Sequence, residues 1–343
     1  MRLNKLSRQL GETFAGAGVD LPRHQTRHRR NKSGLRLEPQ IAMFLLTYSA
    51  RRAIAVSPIV SMDHTLPSKG AFMTDELERL AKKYNLLAYH VPSIRQFLKV
   101  YDVRGKDILE VGGAMPREIV IDHLGANSWT CTESPQYDEE LGEANQQTLL
   151  GASSYGGNYY TQLQNVEDFG PEHHGRYDCI FSIACFEHIT KFPQALDAMY
   201  RCLRPGGVLF SLYSPVWSSC SGAHISHLSI PERFDPSHNG GQILLPWEHL
   251  LKPRHTLYKD IELRFDREFA EEVVYAVHNS PHINRYYTED FIQFVQDSKF
   301  AVNQFLMTFL SPMNEGIQAM LEAACPGYKY FDNQGIYLEL SKT

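Results

Sequence analysis

The chain has 343 residues, of which 43% are hydrophobic and 21% are charged, an ordinary balance for a protein with a sizeable core. Its formal net charge of −5 gives no overall attraction to nucleic acid or to an anionic membrane. The six cysteines show no paired or CxxC spacing, which indicates reduced thiols and not a disulfide framework. The apolar run Ile41–Tyr48 is too short to cross a bilayer, so we expect a cytoplasmic protein without membrane insertion.

Two segments precede a change of pattern at about residue 94. Residues 1–37 contain "PRHQTRHRRNKSG", a basic cluster without aromatic residues, which favours a flexible leader over an RNA-binding arm. Residues 38–93 are mainly helical in pattern, and "TDELERLAKKYNLLAY" places Leu77, Leu80 and Ala81 on one helix face. We expect this N-terminal helical extension to serve either as a substrate lid or as the arm of a homodimer.

The remaining residues, 94–343, alternate short apolar runs with helical stretches. The runs "DILEV", "SWTCTE", "YDCIFSIA" and "GGVLFSLYS" have the length and composition of buried strands. This alternation predicts a doubly wound α/β fold, with a mostly parallel, seven-stranded Rossmann-like sheet and helices on both faces. Residues 215–286 are irregular in pattern and rich in His, Pro and aromatic residues, so we expect a lid inserted after the fifth strand.

A glycine turn follows the first of these strands, in "KDILEVGGAMPREIV". It lacks the Lys-Ser/Thr pair of a P-loop and the third glycine of a dinucleotide fingerprint. Glu110, two positions before Gly112, would repel a pyrophosphate but suits a ligand with a cationic amino group. Glu133 lies near the expected end of the next strand, where an acidic residue accepts hydrogen bonds from a ribose diol. These positions together predict a site for an adenosyl amino acid.

From roughly Ile94 to Leu340 the chain resembles the class I S-adenosylmethionine-dependent methyltransferases in five motifs whose order and spacing agree. The motifs are "ILEVGGA", "TESPQY", "NVEDF", "RYDCIFSIACFEHI" and "AMYRCLRPGGVLFSLYSP". The resemblance implies methyl transfer, with S-adenosyl-L-methionine as the cofactor. The cofactor-binding residues that it implies are Glu110, Gly112, Gly113, Ala114, Glu133, Ser134, Asn165, Val166, Glu167, Ser182 and Ile183. Two of these depart from the family pattern, since Ala114 replaces the second glycine of the loop and Asn165 replaces an aspartate.

Methyl transfer to a hydroxyl also needs a group that takes up the proton, and histidine suits this role near neutral pH. Among the fifteen histidines, position in the chain indicates His188, after the fourth strand, and more strongly His224 and His227, in the loop after the fifth. We rank His224 first, because small residues around it let the backbone approach a substrate. Further candidates from the predicted lid are His249, His278 and His282.

Aromatic side chains of the same region predict a wall for the substrate. Tyr213 and Trp217 could supply this wall, with His249 beside them. The pair "EH" at residues 187–188 resembles part of the E-x-x-E-H metal motif of the ubiquinone-pathway O-methyltransferases. Ala184 replaces the first acid of that motif, so we expect no metal.

Four functions remain open on the sequence, and the first is favoured. It is methyl transfer to a hydroxyl of a small molecule or saccharide, by in-line displacement with a histidine as general base. The others are small-molecule N-methylation, RNA methylation guided by the basic leader, and a non-methylating role of an S-adenosylmethionine-binding protein. The Asn/Asp-Pro-Pro-Tyr signature of nucleic-acid amine methyltransferases is absent, because the matching strand has "SIACFEH". Nucleic acid is therefore not the favoured partner.

Overall fold

The computed structural model of the chain describes residues 71–135, 157–226, 228–234 and 242–343. The predicted leader, residues 38–70 of the predicted extension and His227 lie outside these ranges. No helix in the described ranges combines the length and the apolar character needed to span a bilayer. The cytoplasmic location and the homodimer stay predictions.

Seven strands of the described chain form one sheet. In chain order they are β1 (Asp107–Val111), β2 (Ser128–Glu133), β3 (Tyr159–Leu163), β4 (Tyr177–Ile183), β5 (Leu203–Tyr213), β6 (Ala301–Thr308) and β7 (Gly335–Ser341). Their order across the sheet is β3-β2-β1-β4-β5-β7-β6. β7 pairs antiparallel with β5 and β6, whereas the other neighbouring strands pair in parallel. The predicted seven-stranded, mostly parallel sheet is confirmed.

Helices connect these strands and cover the sheet. They are α1 (Ala71–Lys83), α2 (His90–Val100), α3 (Phe192–Cys202), α4 (Glu248–Leu251), α5 (Arg254–Arg264), α6 (Arg267–His278), α7 (Thr288–Asp297) and α8 (Glu315–Ala324). A short π-helical segment, Glu118–His123, follows the turn after β1.

Two hydrophobic clusters lie on the two faces of the sheet. Successive side chains of a strand point to opposite faces, so Ile108 and Leu109 of β1 belong to different clusters. Ile108 shares its cluster with Phe97 of α2, and Leu109 shares the other with Phe192 of α3 and Phe291 of α7. Helices therefore cover both faces, as predicted.

The predicted boundary between an N-terminal extension and the sheet domain falls inside a helix. α2 spans the boundary at residue 94, and its Val91, Ile94 and Phe97 are buried on one side. α1 packs into the same cluster through Leu77 and Leu80. The described part of the extension is therefore one layer of the sheet domain, because its apolar face shares a hydrophobic cluster with Ile108 of β1.

The segment from residue 215 to 286 is more regular than predicted. It contains α4, α5 and α6, so the expectation of an irregular pattern is corrected for residues 248–278. Asp266 begins α6 by accepting the backbone N–H of Phe269 at 2.9 Å. Phe269, Val273 and Val277 follow at four-residue spacing and form a separate small core with α5. The helical spacing of apolar residues is present in "REFAEEVVYAVH", but the many His, Pro and aromatic residues around it make this spacing hard to recognise in the sequence. The role of this segment as a lid stays a prediction.

Candidate active site

A cavity of about 550 Å³ lies at the carboxyl ends of β1 to β4. Its size is within the usual range for small-molecule and cofactor sites. Its walls come from the glycine turn after β1, the end of β2, the loop after β3, the turn after β4, the loop before α7 and the connection between α1 and α2. Ligands of α/β proteins bind at this edge of the sheet, because the loops that follow parallel strands meet there.

The turn after β1 requires glycine for two reasons. Gly112 and Gly113 have φ angles of +80° and +96°, in the left-handed region that side chains disfavour. A Cβ atom on Gly112 would also lie 2.3 Å from Sγ of Cys185, which is in the turn after β4. The two turns are therefore packed against each other with no room for a side chain, and together they form one wall of the cavity.

Glu110 fixes the shape of this turn from inside the protein. Its carboxylate accepts the indole N–H of Trp129 at 2.6 Å and the backbone N–H of Met115 at 3.0 Å. Burial raises the pKa of Glu110 to about 7, although these donors favour the charged form. The side chain thereby connects the end of the glycine turn to β2.

Glu133 lies at the end of β2, as the sequence predicted. Its Oε2 accepts the backbone N–H of Gly113 at 2.7 Å, and its Oε1 accepts the backbone N–H of Ser134 at 2.8 Å. Both Glu133 and Ser134 line the cavity. The carboxylate is thus held beside the glycine turn, where it can accept hydrogen bonds from a diol.

Most of the other predicted cofactor residues also line the cavity. Those that do are Glu110, Gly112, Gly113, Ala114, Asn165, Val166, Glu167 and Ile183. Ser182 is not among the lining residues, because it is buried in the sheet and its Oγ donates to the backbone carbonyl of Val111 at 2.7 Å. Ser182 therefore joins β4 to β1.

Three histidines from three separate segments meet at one side of the cavity. His188 follows β4, His224 follows β5 and His282 precedes α7, and we call them the histidine cluster. The ring centroid of His188 is 4.8 Å from that of His224 and 4.6 Å from that of His282. None of the three is solvent-exposed, and His188 and His282 line the cavity. The structure thus joins two of the predicted base residues to a third that was a lesser candidate.

The tautomer of His188 is set by the backbone. Its Nδ1 is paired with the backbone carbonyl of His282, and a carbonyl can only accept, so Nδ1 carries the proton. Nε2 of the neutral ring therefore holds the lone pair. Burial lowers the pKa of His188, which favours this neutral form.

Asn284 holds the two cavity-lining segments of the cluster together. Its side-chain Nδ2 donates to the backbone carbonyls of Phe186 at 2.7 Å and Ile189 at 3.0 Å. Its backbone N–H donates to the carbonyl of Glu187 at 2.8 Å. Three successive hydrogen bonds therefore fix the loop of His282 against the turn of His188.

His224 sits in a tight loop and has a φ angle of +49°, which is unusual for a residue with a side chain. A Cβ atom on the nearby Gly222 would lie 2.1 Å from the backbone oxygen of Trp217. The loop after β5 therefore depends on a small residue to bring His224 to the cluster, in line with the small residues noted in the sequence.

The three residues predicted to contact the substrate lie away from the cavity walls. Tyr213 is buried in the sheet core, with its ring against Phe291. Trp217 and His249 are buried against each other, and Nε2–H of His249 donates to the backbone carbonyl of Trp217 at 2.9 Å. Burial lowers the pKa of His249 to about 4, so it is neutral near physiological pH. Their role in substrate binding stays a prediction, and their burial does not support it.

The connection between α1 and α2 adds lining residues that the sequence did not indicate. Tyr89 and His90 line the cavity with their rings stacked at 4.4 Å, next to Leu86 and Leu87. No motif marks this short connection, and sequence reasoning placed it in a separate extension. It borders the cavity because α1 and α2 pack on the sheet.

Comparison with known proteins agrees with this geometry. A family model described as "Methyltransferase domain" matches residues 78–304, more than half of the chain. No curated protein matches the chain significantly.

Solved structures show a weaker likeness. A protein from Listeria monocytogenes assigned as an S-adenosylmethionine-dependent methyltransferase is 12% identical, with a TM-score of 0.42, and the match covers 74% of this chain and 99% of that one. An S-adenosylmethionine-dependent methyltransferase from Mesorhizobium loti is 11% identical, with a TM-score of 0.42 over 73% of this chain and 96% of that one. Geranyl diphosphate C-methyltransferase from Streptomyces coelicolor is 12% identical, with a TM-score of 0.37 over 89% and 98%. The family model therefore carries the assignment: the chain belongs to the methyltransferase-domain family, as a class I methyltransferase whose cofactor is S-adenosylmethionine.

Proposed function

We propose that this enzyme transfers the methyl group of S-adenosylmethionine to a hydroxyl of a small molecule or saccharide. The observation that carries the proposal is the histidine cluster, in which His188 and His282 line the cavity and His224 lies beside them. A hydroxyl must lose its proton as the oxygen attacks the methyl carbon, whereas a neutral amine can attack without a dedicated base. Three imidazoles gathered beside the cofactor cavity suit the first requirement.

The cofactor would be held at the glycine turn. Glu133, which Gly113 fixes in place, would accept the ribose hydroxyls, and Asn165 and Val166 would contact the adenine. The bound cofactor supplies an electrophilic methyl group on a sulfonium centre. The turn after β4 and the loop of His282 then border the remaining space, where the acceptor would lie.

The charge of the cavity supports a neutral acceptor. Among the described residues that line it there are Glu110, Glu133 and Glu167 but neither Lys nor Arg. A phosphate or carboxylate group would find no cationic side chain there, and nucleic-acid binding depends mainly on such contacts. A small polyol, sugar or phenol is uncharged and needs no cationic side chain for binding.

The proton would pass to an imidazole of the histidine cluster. We place His224 first, as the sequence predicted, with the ring of His188 beside it. Transfer of the methyl group from the sulfonium to the oxygen would leave a thioether, and the ring nitrogen would take the proton that leaves the oxygen. Replacement of His224 by Ala should lower kcat by about 100- to 10,000-fold.

The test combines product analysis with two matched variants. The full-length enzyme is incubated with methyl-labelled S-adenosylmethionine and a panel of neutral polyols, sugars and phenols together with amines of matched size, and mass spectrometry locates the label. We expect label on oxygen, a large loss of turnover in His224→Ala and unchanged cofactor affinity by calorimetry. His255→Ala, on the exposed side of α5, should behave as the wild type. Label on nitrogen alone, or full activity of His224→Ala, would contradict the proposal.

A further inference from the structure

We infer that His188, His224 and His282 form a binding site for one divalent transition-metal ion, such as Zn²⁺ or Co²⁺, at the acceptor end of the cavity. One ring nitrogen from each of the three lies within 4.8 Å of the others. Imidazole is a favoured ligand of these ions, whereas Mg²⁺ and Ca²⁺ prefer oxygen. The sequence predicted no metal, because Ala184 replaces the first acid of the E-x-x-E-H motif. The three histidines share no motif of their own and are brought together only by the fold.

The spacing requires a modest contraction on binding. Tetrahedral zinc with Zn–N distances of about 2.0–2.1 Å places its nitrogen ligands about 3.4 Å apart. The widest nitrogen pair would therefore close by at most about 1.4 Å. Rotation of the imidazole side chains can supply this movement, and all three histidines lie in turns or loops outside regular helices and strands.

The environment of His188 already has the form that a metal ligand needs. A metal-bound histidine usually donates its second ring N–H to a carboxylate or a backbone carbonyl, which fixes the tautomer and the ring plane. Nδ1–H of His188 donates to the carbonyl of His282 in this way, and directs Nε2 to serve as the ligand atom. Asn284 braces the same two segments. Two ligands are thereby preorganised before an ion arrives.

Three protein ligands leave a coordination position for another molecule, the arrangement of catalytic and not of structural zinc sites. His188 and His282 line the cavity, so this position faces the space assigned to the acceptor. Resting on the proposed function, we assign it to the acceptor oxygen. Coordination lowers the pKa of a hydroxyl, so its proton can leave to solvent water while the oxygen attacks the methyl carbon. A histidine would take the proton only in the metal-free enzyme.

The binding test needs neither acceptor nor cofactor. The full-length protein is dialysed against a chelator and titrated with CoCl₂, followed by visible absorption, and with ZnCl₂, followed by calorimetry. We expect saturation at one ion per chain with the ligand-field bands of a histidine-bound Co²⁺. His224→Ala and His282→Ala should each weaken binding by about 100-fold or more, because each removes one of three ligands. His255→Ala should bind as the wild type.

Absence of a saturable Co²⁺ spectrum, or equal affinity in the wild type and in both cluster variants, would overturn the inference. Thermal melting and S-adenosylmethionine titration check that each variant is folded, and His224→Gln and His282→Gln replace any alanine variant that is not. Turnover is then measured with and without one equivalent of Zn²⁺. Stimulation supports the role in acceptor activation, and unchanged or lower turnover overturns that role. Because binding is measured alone, its failure leaves the proposed methyl transfer intact, and an inactive enzyme that binds Co²⁺ leaves the metal site intact.

Discussion

The backbone N–H of Gly113 donates to Oε2 of Glu133 at 2.7 Å, and this hydrogen bond joins the turn after β1 to the end of β2. The neighbouring Ser134 holds the other carboxylate oxygen through its own N–H. Glu133 is therefore oriented towards the cavity before any ligand is present. A preorganised acceptor loses less conformational entropy when it binds a ribose diol.

Glu133→Ala should weaken binding of S-adenosylmethionine by about 10- to 100-fold, because the variant loses a pair of charge-assisted hydrogen bonds to the ribose. Isothermal titration with the cofactor and with its demethylated product measures the change. Glu268→Ala is the matched control, since the Glu268 side chain is 89% exposed on α6. An affinity of Glu133→Ala equal to that of the control would remove Glu133 from the cofactor site.

Gly112→Ala should destabilise the protein more than Gly105→Ala does. Both glycines have positive φ angles, +80° and +68°, so each substitution strains the backbone by about 1 kcal/mol. Only at Gly112 does the new Cβ meet Sγ of Cys185, at 2.3 Å, whereas nothing lies within 4 Å at Gly105. We expect an additional loss of about 1–3 kcal/mol in the free energy of unfolding for Gly112→Ala, from overpacking.

Urea denaturation of the two variants gives the comparison directly. Gly112→Ala should also lower cofactor affinity, because it displaces the cavity wall, while Gly105→Ala should leave it unchanged. Equal stability of the two variants would show that the contact with Cys185 relaxes without cost.

The centre of the sheet could be predicted because β1, β2 and β4 are buried on both faces. Such strands appear as continuous apolar runs, and "DILEV" and "YDCIFSIA" coincide closely with β1 and β4. The position of most predicted cofactor residues at the cavity was equally accessible to prediction. Glu110 and Gly112 lie in one short segment, and Glu133 lies at the end of the next strand, so local sequence specifies their arrangement.

The histidine cluster could not be predicted, since its members come from loops whose relative positions depend on the packing of distant elements. His188 and His282 meet through hydrogen bonds of Asn284, and neither local periodicity nor composition indicates such a contact. The assignment of Trp217 to a substrate wall used composition alone. An aromatic residue beside a histidine occurs equally in a core and in a binding site. Trp217 is buried in a hydrophobic cluster, and its role in substrate binding stays a prediction.

Asn284→Ala should separate the two braced segments of the cluster. The variant loses both side-chain hydrogen bonds and leaves the buried carbonyl of Phe186 and the half-buried carbonyl of Ile189 without this donor. We therefore expect a loss of about 2–4 kcal/mol in the free energy of unfolding. Turnover should fall about 10-fold or more under conditions where the variant is folded, because 1 Å of misplacement is costly in catalysis. Cofactor affinity should remain within about threefold, since the glycine turn is not involved.

Asn279→Ala serves as the control for Asn284, because Asn279 is exposed at the end of α6. A purely structural role for Asn284 would reduce stability without changing kcat of the folded enzyme. That pattern would separate Asn284 from the positioning of the cluster.

His249 should make the stability of the protein depend on pH. Its pKa is lowered to about 4 by burial, compared with about 6.5 in an unfolded chain. Between these values the unfolded state binds the proton and the folded state does not. The contribution of His249 is therefore fully present above pH 6.5 and is lost as pH falls to 4, by about 3 kcal/mol in total.

The experiment compares the wild type with His249→Gln by urea denaturation at pH steps from 4 to 7.5. The pH dependence of the wild type alone does not isolate His249, because Glu110 changes the free energy of unfolding in the opposite direction. Its folded-state pKa is raised to about 7, so its contribution falls as pH rises from about 4.5 towards 7. The difference between the two proteins isolates His249, since Glu110 is present in both. We expect this difference to shrink towards acid pH, and a difference that is constant across the range would show that His249 is not neutralised by burial.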